Sequence, residues 1–481
     1  MGVISIDGHS PTRDPCLTQD RQQNQGTDAI SNNGNMRVSH RQILLLFWYT
    51  TRVPEFLTLL PPPEALARLL AHLPATPIAE EIPTLDALGR VSFAPIYAPH
   101  LLPEFARSTV DGYAVRAADT YGASESLPAY LTLVGEVPMG GAPHFALRPT
   151  ECALIHTGGM LPEGANAVVM VEHTQTIQRF GASARRQISK PATQNTEYSE
   201  IEVFRAVAVG DNVIQAGEDV QTGEEVIPQG TLLRPAEIGG LMALGLTTVR
   251  VARRPRVGIL SSGDEVVPPE RVTQPGQVRD VNTYTLRALI AQAGGEPIPY
   301  GLIPDNADAF RAAARRALAE CEVVVFTAGS SVSVRDLTAQ TIDELGKPGV
   351  LVHGVNVRPG KPTILAVCDG KAVIGLPGNP VSALVIAQIF VVPVIEKWLG
   401  LQTRRPRPSV SARLTLNLPS QAGREDWIPV RLLEEGGERC ADPIFGKSNL
   451  IFTLARAEGL IRIPADATGL AAGEVVEVIF L

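Results

Sequence analysis

Between residues 256 and 400 the apolar positions follow two alternating rhythms. Short unbroken runs, RVGIL (256–260), EVVVFT (322–327), TILAVC (363–368) and AVIGL (372–376), have the length and β-branched content of strands buried on both faces. Between them stand segments with helical spacing. TYTLRALIAQAGG (283–295) puts Leu286, Leu289, Ile290 and Ala293 on one face, and Gly294 and Gly295 stop it. DNADAFRAAARRALAEC (305–321) predicts a helix capped by Asp305 or Asn306. RDLTAQTIDELG (335–346) and LVIAQIFVVPVIEKWLG (384–400) predict two more. Strands alternating with helices predict an α/β fold, a doubly wound, mostly parallel sheet covered on both faces.

The rest of the chain has other rhythms. PPPEALARLLAHLP (61–74) reads as a helix with Leu66, Leu69 and Leu70 on one face. STVDGYAVRAAD (108–119) and ECALIHTGGMLPEGANAVVMVEHT (151–174) read as short strands joined by Gly/Pro turns, and the β-rich character continues to about Val213. RPAEIGGLMALG (234–245) returns to helix. TRRPRPS (403–409) reads as a linker, and VSARLTL and GEVVEVIF give residues 408–481 the character of a small β domain. Residues 1–57 are rich in Gln, Asn, Ser and Asp without periodicity, as in a disordered extension. Their one apolar run, Ile43–Tyr49, is too short to span a membrane.

Composition narrows the classes. With 481 residues, 44% hydrophobic and 19% charged, the chain suits two to four soluble domains, and a cytoplasmic location is expected. A net charge of −8 favours neither a nucleic-acid nor a membrane partner, so an anion must be bound by local groups. Cys16, Cys152, Cys321, Cys368 and Cys440 form no CxxC pair, and the histidines show no zinc spacing.

In an open α/β sheet, ligands bind beyond the carboxyl ends of the strands. Three of those ends run into loops of small polar residues: SSGDE with Ser262 and Gly263, AGSSVSVRD with Gly329, Ser330 and Ser331, and PGNP with Pro377, Gly378 and Asn379. Asn379 would cap the last helix and Pro380 would take its first position. The amides that follow, with Ser382 in the first turn, would then face an anion. A tight, well-capped turn without a ligand is the plainer reading of any one such loop. Asp264 and Asp336 follow strand ends and offer oxygen ligands for Mg²⁺. Asp336 could also cap the RDLTAQTIDELG helix. Lys361, in RPGKP, is either a fixed cation for an oxyanion or phosphate or a solvated surface lysine. Alone, Asp111 reads as an Asp-Gly turn, Thr157 as part of a turn-rich loop and Glu237 as a helix-start carboxylate facing the dipole.

LPEFARSTVDGYAV, HTGGMLPEGANAVVMVEH, LSSGDEVV, NVRPGKPT and GLPGNPVSA resemble, in order, stretches of the molybdopterin molybdenumtransferases, the family of bacterial MoeA and the gephyrin E-domain. The resemblance covers roughly residues 58–481. It implies a homodimer whose subunit has an N-terminal domain split into 58–115 and 214–253 around an inserted β-rich domain (116–213), a molybdopterin-binding α/β domain (254–402) and a C-terminal β domain (408–481). It implies that molybdate and adenylylated molybdopterin are converted, with Mg²⁺, into molybdenum cofactor and AMP. The adenylyltransferase of the same pathway would be a further partner. Asp264 and Asp336 match the family's acidic site residues, Lys361 its lysine and Ser382 its PGNPVS loop. Asp111, Thr157 and Glu237 match polar residues offered by the dimer partner. Ala106, Val110, Ser330 and Arg335 depart from the family pattern, which leaves room for a tungstate-using variant. A non-catalytic cofactor-binding or scaffold module and a related adenylyltransferase are the competing readings.

Overall fold

The computed structural model describes residues 59–179, 198–327, 332–402 and 408–481. The expectations for residues 1–57, for Gly329, Ser330 and Ser331, and for most of the linker lie outside these residues, as do the side chains of Arg335 and Asp336.

The α/β domain is organised by a sheet of six strands in the order Glu296–Ile303, Arg256–Ser262, Val323–Thr327, Lys371–Leu376, Ile364–Cys368, Pro348–His353. The first four run parallel. The last two pair antiparallel, so the sheet is mixed. The reversal comes from Asp369 and Gly370, both at left-handed φ (49° and 81°), which close a two-residue hairpin between TILAVC and AVIGL. The two outer strands do not show as apolar runs. Pro297, Pro299 and Pro348 interrupt them, and a proline that removes a ladder donor is tolerated at a sheet edge.

Alternation along Val323–Thr327 sends Val323 and Val325 to one face and Val324 and Phe326 to the other. On the second face lie Phe310, Ala314 and Ala317 of the helix Ala307–Glu320 and Ile342 of Val332–Leu345. Asn306 caps the former, its side chain accepting from the Asp308 and Ala309 amides. On the first face lie Leu286 and Ile290 of Asn282–Gln292, Ala65 and Leu69 of Pro62–Ala71, and the apolar residues of the last helix. That last helix, Pro380–Trp398, is long and apolar enough to cross a membrane. Its apolarity is nevertheless accounted for by burial of Ile386, Phe390 and Val394 in the core. A π-turn at Ala387–Val391 lets the helix continue past Pro393, which can neither donate nor tolerate a regular turn before it.

Three antiparallel ladders zip residues 79–108 onto residues 213–252: Ala79–Pro83 with Thr248–Ala252, Ile96–Tyr97 with Glu225–Ile227, and Arg107–Ser108 with Val213–Ile214. The chain between the innermost pair builds a separate six-stranded sheet, whose second strand is Gly112–Val115. Those four residues therefore pair inside the inserted sheet, ahead of the boundary placed at 116. At the C-terminus, Glu425–Glu435, Glu438–Pro443, Ser409–Leu414, Val475–Phe480 and Gly459–Ile463 pair in a closed ring, a small barrel with no free edge within the ring.

One strand joins the α/β domain to this barrel. Val357–Arg358 adds in parallel to Glu425–Asp426. Asn356 reinforces the seam from both ends: its carbonyl accepts from the Glu425 amide at 3.0 Å, and its Nδ2 donates to the Gly423 carbonyl. The chain then turns at Gly360 (φ 118°) directly against buried Ile386, where a Cβ would overlap that side chain. Gly360→Ala should therefore cost about 1–3 kcal/mol through overpacking, with added backbone strain. A thermal-unfolding midpoint within a degree of wild type would refute this.

Candidate functional site

Arg256–Ser262, Val323–Thr327 and Lys371–Leu376 are adjacent and parallel, so their carboxyl ends open along one edge. SSGDE and PGNP lie there as expected; the middle loop is outside the described residues. Thr327 Oγ1 donates to Ser261 Oγ at 3.2 Å, below that edge. Ser262 Oγ, at the strand end, is buried and has no hydrogen-bond partner among the described residues. Gly263 holds φ 145°, and a Cβ there would lie 2.9 Å from both the Glu265 carboxylate and Val266. Asp264 Oδ1 accepts a long bond, 3.4 Å, from the Asp305 amide. Burial, then the charges of Asp264 and Glu265, raise the carboxyl of Asp305 above its ordinary value.

Asp264 thus stands in a spot rich in hard oxygen donors, which suits Mg²⁺. Among the described residues no cluster of three or more His, Cys, Asp or Glu side chains forms a metal cage. A Mg²⁺ here would fit the pattern of one or two carboxylates completed by phosphate and water. Asp336 does not stand at the start of its helix. The helix begins at Val332, so Asp336 lies more than a turn inside it.

A pocket of about 1170 Å³ opens between the α/β domain and the barrel. Pro377, Asn379 and Ser382 line it with Lys361. The sequence reading missed its other cations, Arg358, Arg424 and Lys447. Among the described residues lining the pocket there is no carboxylate. The positive character is therefore carried by side chains rather than by the helix terminus.

Asn379 does occupy the N-cap position, but its side chain does not cap. Its Nδ2 donates to Ser448 Oγ at 2.8 Å. The Val381 amide donates to the Ser448 carbonyl at 3.0 Å, and the Ala383 amide to the Asn379 carbonyl at 2.9 Å. Pro380 has no amide hydrogen. Of the donors expected to meet an anion, the Val381 amide is taken up by Ser448 and the Ala383 amide by the helix itself. The left-handed turn of this region falls on Gly360 rather than on the PGNP loop. Gly378 instead offers its carbonyl to Asn282 Nδ2 at 2.8 Å.

The inserted domain brings two of the remaining residues together. Asp111 Oδ1 accepts from the Thr157 amide at 2.8 Å and from Thr157 Oγ1 at 3.2 Å, and those bonds hold its carboxyl below the ordinary aspartate value. His156 Nδ1 stands 3.8 Å away, and its Nε2 lies 3.0 Å from Glu136. Val110 packs into the apolar cluster around Ala114 and Ile155, so its departure from the family pattern concerns packing. Glu237 is engaged elsewhere. Its Oε2 accepts the Arg234 amide at 2.8 Å, and both its oxygens receive the Arg234 guanidinium. Asp111, Thr157, Glu237 and Asp264 do not line the pocket that holds Lys361.

Three family models match the chain in succession: "MoeA N-terminal region (domain I and II)" over residues 60–245, "Probable molybdopterin binding domain" over 258–397 and "MoeA C-terminal region (domain IV)" over 411–481. The molybdopterin molybdenumtransferase of Bacillus subtilis is 31% identical over 421 residues, 87% of this chain and 94% of the relative. That of a Nostoc species is 33% identical over 401 residues, 82% and 87% respectively. A crystal structure of the molybdopterin biosynthesis moeA protein from Pyrococcus horikoshii superposes with a TM-score of 0.74 at 31% identity, covering 88% of this chain and all of that one.

The pairing with Arg234 gives Glu237 a pH signature. Arg234 holds the Glu237 carboxyl down at about 2, against an ordinary value of 4.5. A depressed carboxyl stabilises the fold above its unfolded value, and that contribution disappears as pH falls through 4.5 towards 2. Discounted for the exposure of Arg234, Glu237→Gln should cost about 1 kcal/mol at pH 7 and almost nothing near pH 2. Urea unfolding at both pH values measures it; an equal cost at both would contradict the pairing.

Proposed function

This chain belongs to the molybdopterin molybdenumtransferase family, and we propose that it inserts molybdate-derived molybdenum into adenylylated molybdopterin and releases AMP, with Mg²⁺ required. The observation that carries this reading is the cationic pocket, four basic side chains and no carboxylate in its described lining, in a chain of net charge −8. Both substrates are anions, an oxyanion and a pterin nucleotide joined through a diphosphate. Guanidinium and ammonium groups select for such charge, guanidinium through paired donors and ammonium as a point charge.

In this reading Lys361, Arg358, Arg424 and Lys447 bind the anionic groups, and Ser382 and Asn379 orient them from the loop side. Ser262, Gly263, Pro377 and Gly378 line the approach, with Gly329, Ser330 and Ser331 in the middle loop. Asp264 and Asp336 would hold Mg²⁺, which when bound neutralises developing phosphate charge. Loss of a formal charge at Asp264 should therefore slow the transfer without unfolding the chain.

Asp111 and Thr157 line no part of the pocket in their own chain; in this reading the chain is a homodimer, as the family resemblance implies, and they face the partner's site. A C2 interface places the same pair in both clefts. The paired Arg234 leaves Glu237 a structural role first. Molybdate and tungstate share size and charge, so oxyanion preference is a separate measurement.

AMP release from adenylylated molybdopterin should depend on molybdate and fall on the order of 100-fold or more in Asp264→Asn. Lys361→Ala should chiefly raise KM. Wild-type turnover in Asp264→Asn would remove that residue from the site, and molybdate-independent AMP release would overturn the reaction.

Mixing Asp111→Asn with Asp264→Asn tests the shared cleft. Each heterodimer has one doubly substituted and one intact cleft, so activity should return to about half of wild type per heterodimer. Heterodimers that form yet stay inactive would place both residues in one subunit's site or in none.

A further inference from the structure

Asp426 lines no wall of the pocket, and its side chain is fully buried, yet it holds two of the pocket's cations. Arg424 grips it as a fork, Nε to Oδ1 at 2.7 Å and Nη2 to Oδ2 at 2.9 Å. Arg358 Nη1 stands 3.8 Å from Oδ2. The two arginines belong to different domains. Arg358 is the Cα partner of Asp426 in the two-residue parallel strand that joins them. Arg424 Nη1 reaches Gln421 Oε1, another pocket residue, at 3.5 Å.

A buried carboxylate is costly unless it is paired, and an apolar residue often serves stability equally well. A purely stabilising role also leaves the direction of the arrangement unexplained. Of the fork's five N–H donors, Asp426 accepts one from Nε and one from Nη2, and Nη1 is turned towards Gln421 in the pocket lining. A long side chain tethered in this way has lost its rotamer freedom before any ligand arrives.

We propose that Asp426 is a positioning residue for the anionic substrate: it fixes Arg424, and draws in Arg358, so that the pocket presents a preset pair of guanidinium groups to a tetrahedral oxyanion or phosphate group. This rests on the pocket being the anion site. Asp426 itself touches no substrate. Its charge is neutralised by the arginines on the side away from the ligand, and the seam between the domains holds the pair at a set separation.

The test is calorimetric titration of the full-length protein with molybdate alone and with AMP alone, beside steady-state kinetics. Arg424→Ala reports on the pocket and Asp426→Asn on the positioning. Asp426→Asn is expected to weaken binding of at least one probe about tenfold and to raise KM similarly, with kcat changed less than about threefold. Asp426→Glu, which keeps the charge but displaces it, should recover part of the loss. Which probe suffers identifies whether the oxyanion or the nucleotide phosphate meets the pair. If Arg424→Ala loses binding while Asp426→Asn binds both probes as wild type does, the positioning role is overturned and the pocket reading stands. If Arg424→Ala binds both probes normally, the pocket reading fails and the proposal with it. If Asp426→Asn does not fold, Asp426→Glu decides alone: a Kd raised about threefold or more supports the role, and a wild-type Kd overturns it.

Discussion

The candidate site depends on a seam two residues long. Where Val357–Arg358 adds to Glu425–Asp426, the main chain of the α/β domain enters the sheet of the C-terminal barrel. Ladder bonds fix register to a single residue, and a slip of one would turn every side chain to the other face. Register here decides that Arg358 meets Asp426, that Gly360 reaches Ile386 and that Lys361 faces the pocket. A second tie, from Asn379 and Val381 to Ser448, closes the opposite side. Two domains thus share one wall, and Trp427, Leu454 and Leu460 pack into the same buried core as the α/β sheet.

The electrostatics follow from that wall. A chain with excess negative charge cannot attract anions through its overall field. It can do so by gathering cations in one place, with the carboxylate of Asp426 buried behind two of them. The acidic spot around Asp264, Glu265 and Asp305 lies on the same sheet edge but outside the pocket lining.

Local pattern made much of the α/β domain legible. Leu286, Leu289 and Ile290 pack as their spacing predicts, Asn306 caps its helix, and two of the three strand-end loops share an edge. What escaped was long-range or masked by proline. Pro297 and Pro299 hid an edge strand, and the Asp369-Gly370 hairpin went unread. Helix onset before Arg335 moved Asp336 away from a cap. The Val381 amide and the Asn379 side chain, expected to serve the helix start, go to Ser448 instead, some seventy residues further along the chain, which no local rule anticipates. Arg424 and Lys447 were passed over because nothing local sets them apart; only the folded barrel brings them to the pocket.

The neck of the inserted domain has a consequence of its own. Its two strands, Arg107–Ser108 and Val213–Ile214, enter and leave side by side, so the host domain sees a hundred-residue excursion as little more than a hairpin. Closing so long a loop costs only slightly more than closing a short one. The excursion can therefore be lengthened or resurfaced without moving those two strands, provided that it keeps the segment 158–161, which bonds back to Ala106 and Ser108. Asp111 lies three residues beyond Ser108, at the root of that excursion. Its position is inherited from the host's ladder, while the surroundings it meets are free to diverge.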